Sequence, residues 1–181
     1  KTTTITNLAL IMAMSGKRTL LIDADLHRPS VHHILGMERK KGLTNVLIGE
    51  MPLEKAVSKV PFNDDKTNNL DILTAGPDTP NPSELLGSEA MVQMLQNASR
   101  KYDWVLLDTP PVFFVSDASV ASAIVDGVVI VIRVGVNNGS RLRRLREHLE
   151  LLNVKIIGAV LNGIVIAPFG RYYSDYYHHG Y

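Results

Sequence analysis

Leu20-Leu21-Ile22-Asp23-Ala24-Asp25-Leu26-His27-Arg28-Pro29 is an apolar run that ends in two carboxylates one residue apart. Consecutive large aliphatics, with no polar alternation, read as a strand covered on both faces, the kind that makes up parallel sheets flanked by helices. Asp23 and Asp25 stand at and just past its carboxyl end. In an open α/β sheet that edge is where ligands bind. Alternate side chains of an extended chain point the same way, so the two carboxylates are expected on one side, suited to a hydrated divalent cation or to a proton.

Two further elements flank this run. Upstream, Lys1-Thr2-Thr3-Thr4, followed by Ile5, Leu8, Ala9, Ile11 and Met12, has the form of the second half of a phosphate-binding loop opening an amphipathic helix. Such a loop turns backbone N–H groups and a helix N-terminus toward phosphates, its lysine reaches the outer phosphates, and the next hydroxyl ligates Mg2+. The glycines that complete such a loop are absent from the chain, which starts at Lys1 without Met; upstream sequence is expected to be missing, and a protein that began at Lys1 would be expected to bind ATP poorly or not at all. Downstream, Val105-Leu106-Leu107-Asp108-Thr109-Pro110-Pro111 is a second buried strand ending in a carboxylate, the place from which an aspartate holds Mg2+ in phosphate-loop proteins. Each element alone has an ordinary alternative, a surface helix start or a turn that favours Asp. The three together, in this order, point to one site.

The remainder alternates strand and helix patterns. Strands are expected at Thr19 to Asp23, Leu70 to Thr74, Trp104 to Asp108, Val128 to Val134 and Lys155 to Leu161, and helices at Thr3 to Met14, Leu43 to Gly49, Pro82 to Arg100, Ser116 to Val125 and Ser140 to Leu152. In the last helix Leu142, Leu145, Leu149 and Leu152 share one face, and Ser140 is its expected N-cap. The fold class is therefore α/β, a doubly wound, mostly parallel sheet with helices on both faces. At 181 residues and 45% hydrophobic, the chain makes one domain, expected over 1–166, followed by a tail over 167–181.

Nineteen Lys and Arg against 18 Asp and Glu leave a net charge of +1, so no global field argues for nucleic acid or an anionic membrane. The absence of cysteine excludes disulfides and thiolate metal sites and fits a reducing compartment. Gly127 to Val136, the most apolar stretch, is about half the ~20 residues of a membrane-spanning helix and is interrupted by Arg133. Arg141, Arg143, Arg144 and Arg146 read as a solvated helix face partly paired with Glu147 and Glu150, or alternatively as a docking surface for an acidic partner or membrane. His32-His33 and His178-His179 lack ligand spacing, so no metal beyond Mg2+ is expected. Met91 and Met94 suit an apolar helix face.

Five of the six tyrosines crowd the final run, as Tyr172, Tyr173, Tyr176, Tyr177 and Tyr181. Phenol hydroxyls are phosphoryl acceptors, and the preceding chain reads as machinery for a nucleotide phosphate.

The elements KTT, LLIDAD and VLLDTPP, in this order and spacing, resemble the deviant Walker group of phosphate-loop ATPases, which includes the MinD and ParA proteins. Within that group the chain is most similar to the bacterial tyrosine kinases, the kinase domains of capsule and exopolysaccharide chain-length regulators. The resemblance rests on Gly42-Leu43-Thr44-Asn45-Val46-Leu47, on Gly76-Pro77-Asp78-Thr79-Pro80-Asn81-Pro82-Ser83-Glu84-Leu85-Leu86, on the run from Asp108 to Val112 with Ser116-Asp117-Ala118, on Gly158-Ala159-Val160-Leu161-Asn162, and on the tyrosine tail. It covers essentially the whole chain. Two positions depart from the family: His27 stands where an arginine is usual, and Gly163 replaces a frequent arginine after Asn162.

The resemblance implies an ATP-dependent protein-tyrosine autokinase that uses ATP and Mg2+. Lys1, Thr2 and Thr3 would bind phosphate, Thr2, Asp25 and Asp108 the metal, and Asn162 would approach the base. Asp23, with Lys1 and Asp25, would be catalytic, Asp23 orienting or deprotonating the attacking phenol, and the five tail tyrosines would be acceptors. The tyrosine run of about ten residues spans only about 3.3–3.6 Å per residue, which favours reaching a neighbouring copy over folding back. The family further implies a membrane-embedded chain-length determinant or activator as partner, a homo-oligomer, a cytoplasmic position at the inner face of the plasma membrane, a role in exopolysaccharide synthesis or export, and no nucleic-acid partner. The competing readings are a MinD- or ParA-like ATPase that positions cargo, and a degenerate nucleotide-binding subunit.

Overall fold

Strand β1, Thr19–Asp23, is buried at every one of its five residues, as a central strand must be. The computed structural model describes residues 1–60, 69–111, 121–122, 124–136 and 139–164. On one flank β1 pairs in parallel with β3, Leu70–Leu73, and on the other with β4, Trp104–Asp108. A short strand, β2 (Ser58–Lys59), adds antiparallel to β3, giving the order β2-β3-β1-β4. The register sets Asp23 beside Asp108, so two strand-end carboxylates share the carboxyl edge of the sheet. A second, two-stranded parallel ladder joins β5, Val128–Arg133, to β6, Ile156–Asn162.

Alternation along β1 splits the core. Leu21 packs with Leu70 and Ile72 against Ala9 and Ala13 of helix α1 (Thr2–Met14) and against Val31 and Leu35 of α2 (Val31–Leu35). Leu20 and Ile22 face the other way, toward α3 (Leu43–Leu47), α4 (Leu53–Ala56), α5 (Pro82–Leu86) and α6 (Glu89–Lys101), where Met91 and Met94 fill the apolar face. Helices thus cover both faces of a mostly parallel sheet, as the aliphatic runs require. Helix α7, Gly139–Leu151, buries Leu145 and Leu149.

Several local expectations are corrected. The helix expected over Pro82 to Arg100 is two helices: α5 stops at Gly87, and Ser88 caps α6 by accepting the Met91 N–H. Ser140 lies inside α7 rather than at its N-cap. The sheet forms two separate ladders, with no strand pairing β4 to β5 among the described residues, so Trp104 stays 45% exposed as on an edge. Helices α2 and α4 and strand β2 have no counterpart in the sequence reading, because elements of two to five residues are too short to show a period. The Ser116 to Val125 helix falls mostly, and the 167–181 tail wholly, outside the described residues.

The GLTN and GPDTPNP segments owe their composition to one interlock above β3. Leu43 N–H and Thr44 N–H donate to the carbonyls of Thr74 and Ala75, Thr44 Oγ1 donates to the Ala75 carbonyl at 2.8 Å, and Thr74 Oγ1 donates to the Lys41 carbonyl. Asn45 Oδ1 accepts the Gly42 N–H while its amide donates to Glu50. The two backbones lie so close that a Cβ on Gly42 would stand 2.1 Å from the Thr74 carbonyl oxygen. Gly42→Ala is therefore expected to cost about 3 kcal/mol, read as a lowered urea midpoint with unchanged slope.

Candidate functional site

The N-terminus of α1 and the carboxyl ends of β1 and β4 meet at one carboxylate. Asp108, 1% exposed, accepts Lys1 Nζ on Oδ1 at 3.0 Å and Thr2 Oγ1 on Oδ2 at 2.5 Å. Its backbone carbonyl also accepts the Ala24 N–H at 2.8 Å, tying the end of β1 to that of β4. A buried carboxylate needs such partners, since an unpaired charge at that depth costs several kcal/mol. Lys1 and Thr2 come to it because α1 packs against both β1 and β4.

Asp23 is fully buried and oriented differently from Asp108. Its Oδ2 accepts the backbone N–H groups of Ser30 and Val31, each at 3.0 Å, and its Oδ1 accepts that of Asp25 at 3.3 Å. It thereby caps α2 from the end of β1. Burial pushes its carboxyl up to about 6, with the nearby Asp108 charge acting in the same direction and the backbone hydrogen bonds opposing both. A carboxylate offers about four lone-pair sites, and three of them accept backbone N–H groups here. Asp25, 8% exposed, turns one oxygen to the Arg28 N–H at 3.0 Å.

Sequence reasoning overlooked Ser30. Its hydroxyl donates to Thr2 Oγ1 at 3.1 Å and joins the Lys1, Thr2 and Asp108 cluster. The signal available was a serine after Pro29 and before an apolar run, which reads only as a helix start. Asn162, at the end of β6, extends its amide toward Thr4 Oγ1 at 3.5 Å, on the same side as the first turn of α1. Thr3 is exposed on that turn. The structure thus brings Lys1, Thr2, Asp23, Asp25 and Asp108 to one edge, with Asn162 beside α1. The tail tyrosines lie outside the described residues.

The donor set suits Mg2+: a threonine hydroxyl and carboxylates, all hard oxygens, with the lysine alongside to meet phosphate. Among the described residues no three of His, Cys, Asp and Glu form a metal cage. Mg2+ needs none, because it binds through one or two carboxylates plus water and substrate phosphates. The rings of His32 and His33 lie 3.9 Å apart. The arginines of α7 are exposed, and Arg146 pairs with Glu150 at 2.7 Å, as a solvated face would.

A family profile described as AAA domain matches residues 1–156. The tyrosine-protein kinase YwqD of Bacillus subtilis is 39% identical over 172 residues, covering 95% of this chain and 70% of YwqD. The putative tyrosine-protein kinase CapB of Staphylococcus aureus is 34% identical, covering 96% of this chain and 73% of CapB. Among solved structures, the kinase domain of VpsO superposes with a TM-score of 0.84 at 36% identity, covering 91% of this chain and 79% of that one. The cell-division ATPase MinD of Pyrococcus furiosus, with a TM-score of 0.71 at 23% identity over 88% of this chain and 65% of its own, shares the fold alone. With its strand-end carboxylates gathered around a lysine and a threonine, the chain belongs to the AAA domain family and, within it, to the bacterial tyrosine-protein kinases.

Proposed function

We propose that this kinase transfers the terminal phosphoryl group of Mg2+-bound ATP to tyrosines of its own tail, Tyr172, Tyr173, Tyr176, Tyr177 and Tyr181, acting on a neighbouring copy. The observation that carries the reading is the double engagement of buried Asp108 by Lys1 and Thr2. Phosphoryl transfer asks mainly for positioning and charge neutralisation. Lys1 supplies positive charge to the outer phosphates. Thr2, Asp108 and Asp25 hold the cation, which when bound neutralises charge on the phosphate oxygens. Asp23 faces the acceptor phenol; a carboxyl raised to about 6 by burial is closer to a phenol's ordinary value of about 10 than a solvated aspartate is, and so a better base.

Tyr102, the sixth tyrosine, is a poor acceptor. Its hydroxyl donates to Asp71 Oδ2 at 2.7 Å, and burial, with that hydrogen bond, holds the phenol above its usual range.

The reading extends to a membrane-embedded chain-length determinant or activator as partner, to a homo-oligomer, and to a place at the inner face of the plasma membrane in the control of exopolysaccharide synthesis or export. The similarity to CapB supports it, as does a solved chimerical protein, CapA2B2, in which the matching portion is 32% identical to this chain. Among the described residues no helix is long and apolar enough to cross a membrane, so the membrane contact is assigned to that partner or to segments outside them.

Incubation of the full-length protein with labelled ATP tests the proposal. Label is expected on tyrosine, and replacement of all five tail tyrosines by Phe is expected to abolish it while Tyr102 remains; ATP hydrolysis without protein label would instead favour a cargo-positioning ATPase. Transfer between copies predicts that the labelling rate per molecule falls on dilution, and a rate independent of concentration in a monodisperse monomer overturns it. Asp108→Asn removes the charge that holds Lys1 and the cation together, so labelling is expected to drop at least about 100-fold in an initial-rate assay.

A further inference from the structure

Ser30 occupies the residue before α2, where a serine ordinarily turns its hydroxyl back to accept a backbone N–H from the first turn. It makes no such bond. Asp23 Oδ2 accepts the N–H groups of Ser30 itself and of Val31, at 3.0 Å each, and so fixes the backbone at the helix start. The Ser30 hydroxyl instead reaches 28 residues back along the chain and donates to Thr2 Oγ1 at 3.1 Å. Thr2 in turn donates to Asp108 Oδ2 at 2.5 Å.

A hydroxyl carries one proton and two lone pairs. In Thr2 the proton points to Asp108, and one lone pair receives the Ser30 proton. One lone pair remains. We propose that Ser30 is a positioning residue of the Mg2+–nucleotide site, holding the Thr2 hydroxyl in the rotation that presents its remaining lone pair to the cation. The proposal rests on the nucleotide reading of the Lys1, Thr2 and Asp108 cluster.

The physical need is specific. The Thr2 side chain has three staggered rotamers open to it, and its hydroxyl proton rotates to suit its partners. Asp108 and Ser30, gripping the oxygen from two sides, select one. Mg2+ tolerates little displacement of its ligands, at 2.0–2.1 Å in near-octahedral geometry, and partners that orient a ligand typically govern metal affinity by about 10–100-fold. Asp23, by holding the N–H groups of Ser30 and Val31, fixes the backbone from which the Ser30 hydroxyl reaches Thr2.

The test measures the affinity of the full-length protein for a fluorescent ATP analogue, with EDTA and across a Mg2+ titration. In the unaltered protein Mg2+ is expected to tighten nucleotide binding. Ser30→Ala is expected to leave the Mg2+-free affinity and the melting temperature of the nucleotide-free protein close to unaltered, while the Mg2+-dependent tightening falls roughly tenfold. Ser30→Thr, which keeps the hydroxyl, restores it. Should the Ala variant fail to fold, Ser30→Gly, well tolerated at a helix start, is expected to show the same selective loss. Unchanged Mg2+ dependence in the hydroxyl-less variants overturns the proposal, and so does a loss that Ser30→Thr cannot rescue, which would assign the effect to packing. Absence of any Mg2+-dependent tightening in the unaltered protein is a separate outcome that removes the nucleotide site and the proposal with it.

Discussion

A carboxylate almost wholly removed from water, Asp108, constrains everything around it. With one partner on each oxygen, Lys1 and Thr2, it binds the first turn of α1 to the end of β4, and through its carbonyl it holds the end of β1 as well. Removal of either side-chain partner would strand charge or acceptor capacity at that depth, at a cost of several kcal/mol. The packing of Ala9 and Ala13 against Leu21 and Ile72 then has only to bring α1 to the correct face; the ion pair sets where its N-terminus ends. The proposed function and the stability therefore lean on the same atoms, and a nucleotide entering this edge would compete with Asp108 for the lysine.

The second carboxylate solves a different problem. Asp23 sits at 0% exposure and stays tolerable there because three backbone N–H groups surround it. Those same bonds shape the turn that carries Asp25, Arg28 and Ser30 over the sheet edge. Two aspartates that look alike in composition thus divide the work, one gathering cationic and hydroxyl side chains, the other organising backbone. Burial of Asp23 also raises its proton affinity, which suits the proton-acceptor role proposed for it.

Much of this arrangement was legible in the chain. The strand runs ending at Asp23 and Asp108 were read to the residue, because aliphatic blocks closed by a carboxylate leave little freedom in where a buried strand stops. The KTTT helix was read one residue short, since Thr2 has helical geometry although its side chain serves the site. The long helix over Pro82 to Arg100 broke at Gly87 and Ser88 because capping at Ser88 outweighed a weak continuous periodicity. Ser30 was illegible: a serine before a helix looks the same whether its hydroxyl caps the helix or turns elsewhere.

Local pattern in the chain was sufficient for the parallel sheet, its helical cover and an acidic carboxyl edge, because hydrophobic period and strand-end residues are short-range properties. Partnership was not. Lys1 and Thr2 reach Asp108 across 107 and 106 residues, and Ser30 reaches Thr2 across 28. Which oxygen faces which donor at such separations follows from how α1, β1 and β4 pack in space, and no neighbouring residue in the sequence encodes it.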